Sequence, residues 1–217
     1  MAEPESFEKE KNLKKKFDKM TEGPLGYVIY AFLGIVIAFL LNQALGYGLN
    51  TDLPVVAVVS GSMDHGINEN GLPCQKAAAN YVENFDSWWN LCGYYYLGIN
   101  ITKDQFLAFP FHDGFKKGDM PIVEKSNSYN VGDVVVYTVP CQSVPIIHRI
   151  VQIKPDGSFV TKGDHNNNPL VFSGGCTEYS ISRSDIHGKV IFIIPKLGYF
   201  KVALTDVWSY IMSGGKT

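Results

Sequence analysis

At 217 residues the chain is long enough for one or two domains with a sizeable core. Nineteen basic against 21 acidic side chains leave a net charge of −2, so electrostatics give no case for nucleic-acid binding. Mean hydropathy near zero is high for a protein that lives wholly in water, and one segment accounts for it.

Residues 1–22 are charge-dense and poor in branched apolar residues, and they read as a cytoplasmic tail. From Gly23 to Thr51 there is no charged side chain, and Leu25 to Leu41 is almost wholly apolar. The window 23–49 is therefore predicted to be a transmembrane anchor. A cleaved signal peptide is the competing reading, with Ala44-Leu45-Gly46 as a small-x-small site, but the apolar stretch is long for that role. Six lysines precede the segment and the next Lys or Arg after it is Lys76. The positive-inside rule then puts the N-terminus in the cytoplasm and everything from about Asn50 outside, as a single-pass protein of the cell membrane.

Val55-Val56-Ala57-Val58-Val59 follows as a buried strand, ending at Ser60-Gly61-Ser62-Met63. Two hydroxyls beside a glycine at a strand end suit either an ordinary turn or an acyl-transfer nucleophile. Residues 64–114 form an insertion with little strand alternation, rich in aromatics including Trp88, Trp89, Tyr94, Tyr95, Tyr96, Phe106, Phe109 and Phe111. Ala77 to Trp89 fits a helix, with Tyr81, Phe85 and Trp88/Trp89 at three- and four-residue spacing. These aromatics suit a membrane–water interface or the core of a small subdomain. Asn100-Ile101-Thr102 is a glycosylation sequon, usable only on the extracytoplasmic side.

From Lys116 the pattern changes to strands and turns. Met120–Lys125, Val134–Val139, Ile146–Ile153, Phe159–Thr161 and Lys189–Ile194 read as strands of a meander of hairpins, punctuated by Asn130–Asp133 and Pro155-Asp156-Gly157. Phe200–Met212 has one apolar helical face, predicting an amphipathic C-terminal helix over 200–217. Cys74, Cys92, Cys141 and Cys176 show no metal spacing. Outside the cytoplasm, pairing 74–92 and 141–176 is preferred among three connectivities, with four free buried thiols as the alternative.

A nucleophilic Ser62 needs a base, and His148, in an apolar strand, would serve if that strand lies beside Ser62. A carboxylate behind the imidazole would fix its tautomer, and Asp164, in the turn after the next strand, is placed for this. His148 also reads as a hydrogen-bonded core histidine, and Asp164 as an Asx-turn aspartate. No metal-ligand motif is present and no cofactor is implied.

In combination and order these motifs resemble type I signal peptidases of the archaeal and endoplasmic-reticulum branch. The resemblance rests on the anchor, Ser60–Met63, Gly132-Asp133-Val134-Val135, His148-Arg149 where bacterial relatives have a lysine, and Gly163-Asp164-His165-Asn166. The Ile194–Tyr199 ending is also similar to many members. The resemblance implies a mainly β fold: an antiparallel-sheet catalytic domain formed by 50–63 and 115–199, a transmembrane helix, and a partly helical insertion. It implies a serine endopeptidase that removes signal peptides from preproteins at the outer membrane face. Ser62 would be the nucleophile, Ser60 an oxyanion donor beside the Ser62 N–H, and His148 the base. Val56 or Val58 and the Val134–Tyr137 strand would line a groove for small side chains. Expected partners are preproteins, the lipid bilayer and the protein translocation channel.

The chain departs from the family pattern in three places. Asp64-His65-Gly66 follows Met63 where the family usually has x-Pro. Many relatives carry a second aspartate about six residues after the first, often taken as the third catalytic member, but Leu170 stands here. Asp164 is thus the third member by default, with Asp185 as runner-up. The insertion has no counterpart in compact members. Two other classes compete: a non-catalytic, membrane-anchored β-rich binding subunit related to signal peptidases, and a self-cleaving serine peptidase, against which no DNA-binding helix pair or autocleavage segment precedes Ser62.

Overall fold

The computed structural model describes residues 5–67, 71, 73–75, 82 and 84–199. The helix expected over 200–217 lies outside the described residues, as does most of the start of the helix expected from Ala77. The chain divides into two compact units, 1–48 and 49–217.

The first unit holds α1 (Glu5–Thr21) and α2 (Pro24–Gly48). Gly23, at φ +80°, breaks the helix in a backbone region that favours glycine. Pro24 then opens α2 at the one helical position where its missing N–H costs nothing. At 1.5 Å per residue, α2 is about 37 Å long, more than the ~30 Å core of a bilayer. It is apolar enough to cross a membrane, and Phe32, Ile35 and Phe39 stand exposed along it.

The second unit is built on one five-stranded antiparallel sheet: β1 (Met120–Glu124), β2 (Val134–Tyr137), β3 (Ile146–Ile153), β4 (Phe159–Lys162) and β5 (Ile186–Ile194). The order β1-β5-β2-β3-β4 corrects the expected meander. Only β2, β3 and β4 follow one another in space as in sequence; β5 enters between β1 and β2. Every residue of β2 is buried, as its unbroken Val-Val-Val-Tyr run implies for a central strand covered on both faces. Alternate residues serve different cores: Val134 and Val136 pack with Val58, Met63 and Phe115, while Val135 and Tyr137 pack with Ile150, Phe159 and Ile186.

In the insertion the described helices are α3 (Phe85–Gly98) and α4 (Lys103–Leu107). Both begin at capping boxes, Asn84 with Ser87 and Thr102 with Gln105, which satisfy backbone N–H groups that a helix start leaves open. Trp88, Tyr96 and Phe106 are fully buried and pack with Val151 and Val160 of the sheet. These aromatics form a subdomain core and are not available to a membrane surface. Burial of each such ring stabilises the fold by roughly 1.5–3 kcal/mol. Disulfides join Cys74 to Cys92 and Cys141 to Cys176.

Candidate active site

Residues 55–59 run beside β1: the Val56 N–H donates to Pro121 O at 3.1 Å and the Val58 N–H to Asp119 O at 2.9 Å. The chain leaves this pairing at Ser60 and turns, with the Asp64 N–H closing on Gly61 O at 3.0 Å. Two further backbone bonds fix the turn. Ser62 O accepts from the His165 N–H at 2.9 Å, and Met63 O accepts from the Phe115 N–H at 3.1 Å. Met63 is buried beneath them as an apolar anchor. The Ser60 and Ser62 hydroxyls lie 3.2 Å apart, close enough for one to donate to the other.

His148 stands on β3, in register with Val135 of β2. Its ring is buried, and its Nε2 shares a small space with the serine turn. A Cβ added to Gly163 would lie 2.7 Å from His148 Nε2, 2.7 Å from Ser62 O and 2.8 Å from Asn166 Nδ2. The absence of a side chain at 163 is what lets these groups converge. Among the described residues no hydrogen bond joins the Ser62 hydroxyl to His148; such contacts are often loose before substrate binds.

The carboxylate behind His148 is not the expected one. His148 Nδ1 is hydrogen-bonded to Glu178 Oε1. Asp164 is fully buried, but its oxygens are occupied elsewhere. Oδ1 accepts from Arg149 Nε at 3.0 Å and Tyr96 OH at 3.0 Å, and Oδ2 from Arg149 Nη2 at 2.7 Å and His65 Nε2 at 3.1 Å. Burial would raise the Asp164 carboxyl, but the Arg149 guanidinium and His65 hold it well below the usual range. Asp185, the runner-up, ends a short turn before β5 and meets the Ser184 hydroxyl at 3.4 Å rather than His148.

Glu178 and His148 are adjacent because a hairpin folds back on the sheet. Leu170–Phe172 runs against 176–178, with Val171 bridged to Thr177 and the Phe172 N–H donating to Cys176 O at 2.8 Å. Gly174 and Gly175, at φ +99° and +87°, make the reversal. The Thr161 N–H on β4 donates to Glu178 O at 3.0 Å, which ties the hairpin's end to the sheet. Burial would raise the Glu178 carboxyl, but the His148 ring, Tyr137 and the Leu170 amide bring it below its ordinary value.

A cleft of ≈ 340 Å³ opens over Ser60, Ser62 and His148. Ala57 and Val58 line it, together with Val144, Pro145, Leu170 and Phe172. Of the expected groove residues Val58 is present. The lining does not include Val56 or the Val134–Tyr137 strand, because β2 is central and both its faces are covered.

Sequence reasoning missed four buried polar residues near this centre: Glu178, Lys162, Tyr96 and His65. His65, part of the departure after Met63, stacks on Trp88 with ring centroids 3.7 Å apart. Burial lowers its pKa against the pull of Asp164. Lys162 Nζ donates to Gly163 O at 3.0 Å and lies over the Tyr96 ring at 4.8 Å. Burial brings its pKa down to about 8, despite Asp164 and Glu178 nearby. In sequence these residues carry no motif; a buried Lys or Glu is recognisable only once the fold surrounds it.

No family profile matches the chain. It is similar to the signal peptidase complex catalytic subunit SEC11 of Chaetomium globosum, 29% identical over 145 residues, covering 60% of this chain and 83% of that protein. The subunit of the same name from Neurospora crassa is 29% identical over 151 residues, 63% of this chain and 87% of that one. The one from Eremothecium gossypii is 35% identical over 106 residues, 46% of this chain and 64% of that one.

Proposed function

We propose that this chain, a relative of the endoplasmic-reticulum-type signal-peptidase-I-like family, is a membrane-anchored serine endopeptidase that removes N-terminal signal peptides from preproteins. The observation that carries this reading is the convergence of Ser62 and buried His148 at one apolar cleft, around the side-chain-free position at Gly163.

Ser62 attacks the substrate carbonyl, and His148 Nε2 takes the hydroxyl proton. The negative charge that develops on the carbonyl oxygen is met by the Ser60 hydroxyl and the Ser62 N–H. His148 returns its proton to the leaving amine, then activates the water that releases the acyl-enzyme. Ala57, Val58 and Leu170 give the cleft short apolar walls that favour small side chains before the cut. The helix α2 anchors the chain with its N-terminus in the cytoplasm, as the six preceding lysines favour, and the catalytic unit lies at the outer face. Its partners are then the bilayer, exported preproteins and the translocation channel that delivers them.

The test is cleavage of a signal-bearing preprotein by the full chain in proteoliposomes, followed by N-terminal sequencing of the product. Cleavage after a small residue at the end of the signal is expected. A preprotein left intact by folded, membrane-inserted protein would count against the reading.

A further inference from the structure

Resting on the reading of His148 as the base, we infer that Glu178 is the residue that positions it, a carboxylate supplied by the 170–178 hairpin and not by the Gly163–Asn166 turn.

A neutral imidazole must present a lone pair to the serine and a proton to its support. Glu178, when ionised, only accepts hydrogen bonds, so its contact with His148 Nδ1 places the proton there and leaves Nε2 free toward the cleft. The carboxylate is itself fixed. Oε1 also accepts from the Tyr137 hydroxyl, which in turn accepts from Thr161 Oγ1 at 3.0 Å. Oε2 accepts from the Leu170 N–H at 2.7 Å. The Glu178 side chain is 0% exposed and that of His148 3% exposed, so the imidazolium formed during the reaction has this anion as its buried counter-charge on the side away from the cleft. Asp164 cannot take this part while both its oxygens hold Arg149.

The test compares Glu178→Gln, Glu178→Asp and Asp164→Asn with Ser62→Ala and His148→Ala, using the full chain in detergent and one preprotein substrate. Glutamine offers His148 an amide with no charge and no fixed polarity. Glu178→Gln is expected to lower kcat about 1,000-fold, with KM little changed, and Glu178→Asp to recover part of the loss. Partial rescue in Glu178→Asp, with KM little changed, marks an effect on the reacting groups rather than on substrate binding. A merely structural role would lower the amount of folded protein and leave kcat per folded molecule unchanged.

Wild-type kcat in Glu178→Gln, with Ser62→Ala and His148→Ala inactive, would overturn this inference alone. So would a larger loss of kcat per folded molecule in Asp164→Asn than in Glu178→Gln. Full activity in Ser62→Ala and His148→Ala would overturn the parent reading and this one with it. Should Glu178→Gln fail to fold, proton NMR of the wild type reads the same contact. A downfield ring N–H resonance that disappears in His148→Ala supports it, and a wild-type spectrum without one contradicts it.

Discussion

Arg149 and Asp164 are joined at two points, Nε to Oδ1 at 3.0 Å and Nη2 to Oδ2 at 2.7 Å, with neither side chain exposed. The remaining guanidinium N–H groups reach Pro110 O, Gly132 O and Phe111 O at 2.7, 2.9 and 2.9 Å, so all five donors are used. Arg149 therefore ties the end of the insertion to the turn before β2 and to the turn that carries Gly163. Its neighbour His148 on β3 turns to a different carboxylate. Adjacent residues of one strand thus divide the work: one supports the fold, the other faces the cleft.

Asp164→Asn leaves the Arg149 charge buried without its partner and should cost about 3–5 kcal/mol of stability. The Asp164 carboxyl is held below its ordinary value in the folded state. Its contribution is then complete above the unfolded value of about 3.9 and is lost as pH falls through the folded value. Denaturant titrations should show the gap between wild type and variant at neutral pH and its narrowing below about pH 4.

Gly163→Ala tests the convergence of groups at the site. Its Cβ would press on His148 Nε2, on the Ser62 carbonyl and on Asn166 Nδ2, all within 2.8 Å, and the Ser62 contact is backbone. The expected result is a loss of roughly 100-fold in turnover from misplaced reacting groups. Stability should fall by about 1–3 kcal/mol from overpacking. Steady-state kinetics and thermal melts of the same preparation separate the two effects.

Cys141→Ser/Cys176→Ser should weaken both fold and site. The disulfide closes a 35-residue separation, and its loss is expected to cost about 2–4 kcal/mol. Cys176 is in the hairpin that carries Glu178, and Cys141 adjoins Gln142, which lines the cleft. Turnover measured well below the melting temperature should therefore also fall, by about 10-fold or more, as the His148 support loosens.

Much of the β unit is legible locally. Val134–Tyr137 and Ile146–Ile153 are β-branched runs between Gly and Pro punctuation, and the Cys pairs follow from proximity in sequence. Ser60, Ser62 and His148 stand in short motifs. What is not legible depends on non-local choice. Nothing in Ile186–Ile194 says that it pairs with both β1 and β2. Asp164 and Glu178 are both acidic residues after β4, and sequence order favours the nearer one. Only the fold shows that Arg149 already occupies Asp164, leaving His148 to a residue carried on a hairpin.

Lys162 gives a prediction at alkaline pH. Burial lowers its folded pKa to about 8, so between that value and the unfolded value the unfolded chain binds more protons. Its ionisation therefore penalises the folded state fully below about pH 8 and less as pH rises toward about 10. Chemical denaturation from pH 7 to 10 should show wild type gaining stability relative to Lys162→Met. A pH-independent difference would refute the assignment.

Preprotein cleavage by Ser62→Ala tests whether Ser62 is the nucleophile. The variant should fold as wild type, keep both disulfides and leave the preprotein uncut while wild type processes it to completion. Cleavage at the same bond by Ser62→Ala at a comparable rate would contradict the account.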